Sequence, residues 1–380
     1  MRIALVAGEA SGDLLGAALI TALRRRLPDA RFEGVAGPEM IAAGCRQIAR
    51  IDELSVMGLA EVAPRLLEVL RLRRRLLRRW RADRPAVVVG IDAPDFNLGL
   101  ERRLRRAGCR TVHVVSPSVW AWRSGRVRTV ARAADLLLCL LPFEPQYYRG
   151  VKVEAVYIGH PLADALAAPM SMASARTALD LPAGRVVAVL PGSRLSEVKA
   201  LAPVFARAAA LLADRGPALT LAVPAARPAL RTLFMEEVRR SAPSVRWRLY
   251  DGRAREVMSA ADAVLLASGT AALECMLLGR PMVVGYRVSR VTAWLLRSLH
   301  LLRVDRFSLP NLLCGGSVVP EFIQERATPE NFARALQELL DDEAARRRQT
   351  EAFARAGARL RCGAADRAAE AILRLVAAAS

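Results

Sequence analysis

The stretch IALVAGEASGD, Ile3–Asp13, sets the reading of the whole chain. Five apolar residues, Ile3 to Ala7, run without alternation, and a turn carrying Gly8 and Gly12 then leads into a helical pattern. A strand covered on both faces needs such a continuous apolar run, and the strand-turn-helix step is the unit of a parallel sheet. The step recurs at Val87–Ile91, Thr111–Val115, Leu136–Leu140 and Val153–Ile158. From Pro161 to Leu181 the rhythm breaks at Pro169 and the small polar residues after it, which reads as a linker. It restarts at Val186–Leu190, Leu219–Val223, Val245–Leu249, Val264–Ala267 and Met282–Gly285. The pattern predicts an α/β protein of two doubly wound, Rossmann-like domains, 1–168 and 182–342. A helical tail, 343–380, has Arg346–Arg348 in one turn and an alanine-rich stretch from Ala364 to Ala379. It is expected to pack back on the first domain or on a partner subunit.

Composition narrows the classes. The 380 residues suit two or three units at about 100–200 residues each. With 53% hydrophobic residues the chain has apolar surface enough to fold. The most apolar window, Val257–Gly279, is interrupted by Asp262 and Glu274 and does not read as a membrane span. The apolar start is too short before Glu9 and Asp13 for a secretory signal, so a cytoplasmic protein is expected. Cys45, Cys109, Cys139, Cys275, Cys314 and Cys362 lack CxxC or His-paired spacing, which argues for reduced, mostly buried thiols rather than zinc or disulfides. Lys+Arg of 57 against Asp+Glu of 37 gives +20, and only Lys152 and Lys199 are lysines. Such a balance invites nucleic acid, yet the chain has no helix-turn-helix, RNP or zinc-finger pattern and only 5% aromatics; no nucleic-acid partner is expected.

Ligands of open parallel sheets bind beyond the carboxyl ends of the strands. In the first half three segments occupy that position: Gly8–Asp13, Gly90–Asn97 and Ser116–Arg123. The glycines at 8, 12 and 16 do not match GxGxxG, and two carboxylates there would repel a pyrophosphate, so a dinucleotide fingerprint is not read. A tight turn with Ser11 as helix cap fits equally. Asp92 directly follows a buried strand, where a carboxylate can act as a general base. Spacing alone leaves open whether it does so or only caps the next turn. Trp120 and Trp122 suit stacking on a sugar or an apolar chain, and ordinary packing equally. In the second half Gly192, Ser193 and Arg194 open a helix after Leu190, offering backbone N–H groups and a cation to a diphosphate. Ser268, Gly269 and Thr270 repeat the arrangement after Ala267, and Glu274, one turn on, can accept from a ribose diol. A capped helix explains either turn alone. Together, with an isolated carboxylate in the other domain, they point to a nucleotide-sugar transferase.

Ten ordered blocks resemble the lipid-A-disaccharide synthase family of two-Rossmann-domain glycosyltransferases. They are IALVAGEASGD at Ile3–Asp13, ELSVMGLAEV at Glu53–Val62, GIDAPDFN at Gly90–Asn97, VSPSVWAWR at Val115–Arg123, LPFE at Leu141–Glu144, GHPLAD at Gly159–Asp164, LPGSR at Leu190–Arg194, LLASGTAALE at Leu265–Glu274, PMVVGYR at Pro281–Arg287 and SLPNLL at Ser308–Leu313. The resemblance implies the GT-B arrangement, two domains facing across a cleft. It implies condensation of UDP-2,3-diacylglucosamine with 2,3-diacylglucosamine 1-phosphate into a β-1,6-linked disaccharide and UDP. An α-linked donor giving a β product inverts at the anomeric carbon, which calls for a base on the acceptor and stabilisation of departing UDP. On this reading Asp92 is the base, and Arg194 with the N–H groups after Gly192 and Gly269 holds the diphosphate. The loop from Asp251 to Glu256 lies near the uracil, and Glu9, Ser11, Trp120 and Asn311 lie on the acceptor side. No metal and no cofactor is expected. His113, within a strand, reads as a hydrogen-bonded core residue, and His160 as a hinge residue. A sibling transferase with another lipid-linked acceptor is the remaining alternative.

The charge has one further reading. Between Pro64 and Asp83, Leu66, Val69, Leu70, Leu76, Leu77 and Trp80 share one arc, with Arg71, Arg74, Arg75, Arg78, Arg79 and Arg81 opposite. Such a helix can show arginines to anionic lipid on the cytoplasmic face of the inner membrane. Val56, Met57 and Leu59 upstream, and Trp294–Leu302 with Arg290, Arg297, Arg303 and Arg306, can add to that contact. A homodimer exchanging tail helices is also expected.

Overall fold

The computed structural model of the chain describes residues 1–54, 62–120, 125–213, 219–243, 245–287 and 306–378. Two compact units emerge, Met1–Asp164 with Leu360–Ser380, and Ala165–Arg359.

The first unit alternates β1 (Arg2–Ala7), α1 (Ala10–Arg26), β2 (Arg31–Ala36), α2 (Pro38–Ala42), β3 (Cys45–Arg50), α3 (Val62–Ala82), β4 (Val87–Ile91), α4 (Pro94–Arg106), β5 (Thr111–Val114), α5 (Arg126–Ala133), β6 (Leu136–Cys139) and β7 (Glu154–Tyr157). The seven strands run in the order β3-β2-β1-β4-β5-β6-β7, and each neighbouring pair is parallel. Ile3, Leu5, Val87, Val89 and Ile91 pack on one side with α1, while Ala4, Val6 and Val88 pack on the other with α3 and α4. Both faces are therefore covered, which is why the central strands are unalternated.

Two strands of this sheet, β2 and β3, escape the apolar-run criterion. RFEGVA carries an acid in its middle, and CRQIAR is an edge strand with exposed Arg46 and Gln47. Glu33 is buried in β2 because Arg79 donates to both its oxygens, at 3.0 and 2.7 Å, and the Trp80 indole N–H adds a third bond at 3.0 Å. That guanidinium holds the Glu33 carboxyl below its ordinary range.

α6 (Pro161–Ala165) closes this stretch of the first unit and α7 (Met172–Ala178) opens the second, so the stretch read as linker is partly helical. Ser171 explains α7, its hydroxyl accepting the Ser174 N–H at 3.1 Å as an N-cap. Then come β8 (Arg185–Leu190), α8 (Leu195–Ala213), β9 (Leu219–Ala225), α9 (Pro228–Ser241), β10 (Trp247–Asp251), α10 (Ala254–Ala260), β11 (Ala263–Ala267), α11 (Thr270–Leu277), β12 (Met282–Tyr286), α12 (Leu309–Cys314), β13 (Glu321–Ile323), α13 (Pro329–Asp341) and α14 (Glu343–Leu360). Its six parallel strands take the order β10-β9-β8-β11-β12-β13. β10 begins two residues later than its apolar run suggests, and β13, three residues long, is too short to carry a run at all. Phe205 of α8, Phe234 of α9 and Phe332 of α13 fill the core on one face.

The chain then returns to the first unit as α15 (Ala364–Ala377). Ala364, Ala368, Ala369, Ala371 and Ile372 join the core beneath β1 and α1, and Asp366 pairs with Arg25 and Arg26 at 3.0 and 2.6 Å. In both sheets the winding reverses beside the first strand, between β1 and β4 and between β8 and β11. Ligands of this architecture bind at such switch points.

Candidate active site

The second unit gathers the residues read as nucleotide-binding. A cavity of about 630 Å³ is lined by Gly192, Ser193 and Arg194 after β8 and by Ser268, Gly269, Thr270 and Glu274 after β11. Gly252 to Glu256, from the loop expected near the uracil, complete the wall. The volume suits a nucleotide-sized ligand. Gly192 has φ of 125°, and a Cβ there would lie 2.5 Å from the Glu197 Cβ, so only glycine fits the turn into α8. A Cβ on Gly269 would meet nothing within 4 Å, so the backbone at the start of α11 is open to close approach.

Two polar partners differ from the sequence reading. The Glu197 carboxylate accepts the Ser193 and Arg194 N–H groups at 3.0 and 3.3 Å and the Arg194 guanidinium at 2.7 Å. The orphan donors and positive end of α8 draw the nearest acid, three residues inside the helix, as in a capping box. Glu274 accepts a hydrogen bond from Arg255. Both Glu197 and Arg255 line the cavity, and neither was singled out for a role from the sequence. The i,i+3 spacing of Arg194 and Glu197 was the signal for the first; the second lies in the loop expected near the uracil, and nothing in the sequence signalled its pairing with Glu274.

At the switch point of the first unit, Glu9 and Ser11 are exposed at the start of α1. Glu9, not Ser11, occupies the N-cap position, and no side chain caps the helix. The neighbouring Asp13 turns inward, 1% exposed, and accepts the N–H groups of Gly37, Glu39 and Met40 at 2.8, 2.9 and 3.2 Å. Asp92 is half-buried, with φ of 50°, and Ala93 follows at 42°. The N-cap of α4 is Ala93 and no side-chain bond caps it, so the capping alternative for Asp92 is not realised. A Cβ on Gly8 would lie 2.5 Å from that of Ala93, which puts the β1 and β4 turns in contact.

Trp120 is half-buried with Phe143 edge-on at 5.6 Å. Its indole N–H lies near enough to Glu144 to lower that carboxyl's pKa, without hydrogen-bond geometry. Burial dominates all the same and pushes Glu144 up to about 7, against the Leu140 and Leu141 N–H groups that donate to it. Trp122 and Arg123 lie outside the described residues.

Asn311 has partners of its own. It belongs to α12 of the second unit, 2% exposed, and its amide donates to Val319 O and Glu321 while accepting the Val318 and Val319 N–H groups at 2.8 Å. Its polar capacity is spent on holding that loop. His113 is fully buried on Glu101, and His160 accepts the Leu162 N–H at 3.2 Å while burial lowers its pKa to about 4. Among the described residues no three His, Cys, Asp or Glu side chains gather as metal ligands. Cys45, Cys109, Cys139 and Cys275 are buried, and Cys314 and Cys362 are half-buried.

The family model for lipid-A-disaccharide synthetase matches residues 3–372. The lipid-A-disaccharide synthase of Alkalilimnicola ehrlichii is 50% identical over 376 residues, 98% of both chains. That of Sodalis glossinidius is 51% identical over 377 residues, 99% of this chain and 98% of its own. Among solved structures, the Neisseria meningitidis UDP-GlcNAc 2-epimerase bound to UDP-GlcNAc superposes with a TM-score of 0.66 at 12% identity, covering 98% of this chain and all of its own. That likeness supports a shared two-sheet α/β fold.

Proposed function

The chain belongs to the lipid-A-disaccharide synthase family, and from that premise we propose how its two units divide the reaction. The enzyme is a UDP-sugar-dependent glycosyltransferase of lipid A synthesis. It joins the sugar of UDP-2,3-diacylglucosamine to the 6-hydroxyl of 2,3-diacylglucosamine 1-phosphate, giving the β-1,6-linked disaccharide and UDP. Asp92 takes the hydroxyl proton as the oxygen attacks the anomeric carbon, and the bond from that carbon to the UDP oxygen breaks with inversion. Negative charge grows on the diphosphate, where Arg194 and the N–H groups of Ser193 and of the Gly269 turn stabilise it. For this Glu197 gives up those N–H groups to the phosphate, and Glu274 exchanges Arg255 for the ribose diol. Glu9, Ser11 and Trp120 contact the acceptor.

The single observation behind this division is the meeting of both phosphate-type turns in one cavity at the switch point of the second unit. The test pairs UDP-diacylglucosamine with the diacylated monosaccharide 1-phosphate and uses non-acylated UDP-GlcNAc as control. UDP release with disaccharide formation from the acylated pair alone is expected. Equal turnover of the non-acylated donor would remove the acyl specificity.

Chemistry also favours a site of action at the anionic cytoplasmic face of the inner membrane, since both substrates carry two acyl chains. No helix among the described residues is long and apolar enough to cross a membrane, and α3 presents exposed Arg71, Arg74, Arg78 and Arg81 as a surface contact. A homodimer belongs to the same reading, and a monomeric mass at sedimentation equilibrium would remove it.

A further inference from the structure

We propose that Asn97 is a positioning residue for Asp92, an assignment that rests on Asp92 being the general base. The Asp92–Ala93 turn places two successive non-glycine residues at φ of 50° and 42°. Left-handed backbone at such residues is unfavourable and persists only where neighbours over-determine it. Asn97, one turn into α4 and 0% exposed, supplies that determination. Its Nδ2 donates to Asp92 O at 2.8 Å and lies 3.3 Å from both Ile91 O and Val6 O. One carboxamide thus ties the ends of β1 and β4, the two strands that flank the switch point, to the residue that follows them.

The surroundings of Asn97 are not those of a packing residue. Glu101, one turn further along α4, is 1% exposed and bonds the fully buried His113 of β5 at 2.8 Å. Asn97 Oδ1, Glu101 Oε2 and His113 Nε2 are buried and make no hydrogen bond among the described residues. Gly90 of β4 accommodates the column: a Cβ there would lie 2.0 Å from Glu101 Oε1 and 2.9 Å from Asn97 Cβ. Apolar side chains of similar volume fill a core with less penalty than a polar column with three unmet atoms. Fixing the direction of the Asp92 carboxylate is what the column does that apolar residues cannot. Glu101 and His113 hold α4 in register on β5, and Asn97 carries that register to Asp92.

The test is a double-mutant cycle of Asn97→Ala with Asp92→Asn, read as kcat, donor KM and unfolding midpoint. Misplacing a reacting group by about 1 Å lowers turnover on the order of 10²-fold. Asn97→Ala is therefore expected to lower kcat about 10²-fold while leaving donor KM unchanged, because the nucleotide cavity belongs to the second unit. In the Asp92→Asn background the same substitution is expected to change kcat less than about threefold, since residues acting through one another are not additive. Asn97→Asp, of the same volume but without the N–H donors, repeats the cycle without opening a cavity. Equal losses in both backgrounds, or failure of both Asn97 variants to fold, would assign Asn97 to the core and overturn the proposal. Full turnover of Asp92→Asn alone would instead remove the base assignment, so the two failures are distinct.

Discussion

Glu144 is a carboxyl whose ionisation works against the fold. Burial holds it at about 7 in the native state, against 4.5 for the free side chain. The folded chain therefore binds a proton that the unfolded chain has released between those two values. Stability carried by that proton is full below about pH 4.5 and is lost as pH rises to 7. Glu144→Gln keeps an acceptor for the Leu140 and Leu141 N–H groups and cannot ionise. The variant is expected to match the parent at pH 5 and to exceed it at pH 8 by up to about 3 kcal/mol in urea unfolding. A variant less stable at pH 8 would show the ionised form to be the native one. His160 has the opposite sign: its pKa, lowered to about 4, makes stability fall as pH drops from 6.5. At this scale the sequence indicated which residues line the cavity, because strand-end glycines and hydroxyls obey local rules. It could not indicate that Asn311 is fully hydrogen-bonded or that Arg79 answers Glu33, since those partners come from other elements.

Elements were legible where an apolar run spans the strand, and hidden where tertiary partners replace it. β2 tolerates a central acid only because α3 delivers Arg79 and Trp80 to it. The return of α15 to the first unit is one of the two placements expected of the tail, but its partner α1 cannot be named by a reading along the chain, because it lies more than 300 residues earlier. Two kinds of contact hold α15, and their magnitudes differ. The ion pairs of Asp366 with Arg25 and Arg26 are half exposed, and such pairs contribute about 0–1 kcal/mol. Ile372 is 0% exposed in the core, and truncating such a side chain costs about 2–5 kcal/mol. Ile372→Ala is therefore expected to lower the stability of the first unit by about 2–5 kcal/mol in denaturant unfolding, and Asp366→Ala by less than about 1. The reverse order would mean that charge, not packing, docks the tail.

At the scale of the molecule the +20 charge divides by partner. Arg79 is taken by Glu33, and Arg75 lies 3.6 Å from Glu53, so fewer arginines of α3 are free for lipid than the helical arc suggested. Arg71, Arg74, Arg78 and Arg81 are exposed, whereas Leu72, Leu76, Leu77 and Trp80 are buried in the core. Val56, Met57 and Leu59, and the stretch Trp294–Leu302 with Arg290, Arg297 and Arg303, lie outside the described residues. At about 1 kcal/mol per basic residue near an anionic surface, four arginines set an upper limit of about 10³-fold in vesicle affinity. Replacing all four by Gln is expected to weaken binding to phosphatidylglycerol vesicles by 10²- to 10³-fold at low salt and to change nothing with neutral lipid. Unchanged binding to anionic vesicles would place the membrane contact elsewhere. The central claim concerns neither charge nor lipid but the division of labour between a base in one unit and a leaving-group site in the other. Its most direct test is Asp92→Asn assayed for disaccharide formation and, on the same preparation, for UDP affinity by calorimetry. The account predicts turnover reduced by about 10²- to 10⁴-fold with UDP affinity unchanged; full turnover, or turnover and UDP affinity lost together, would contradict it.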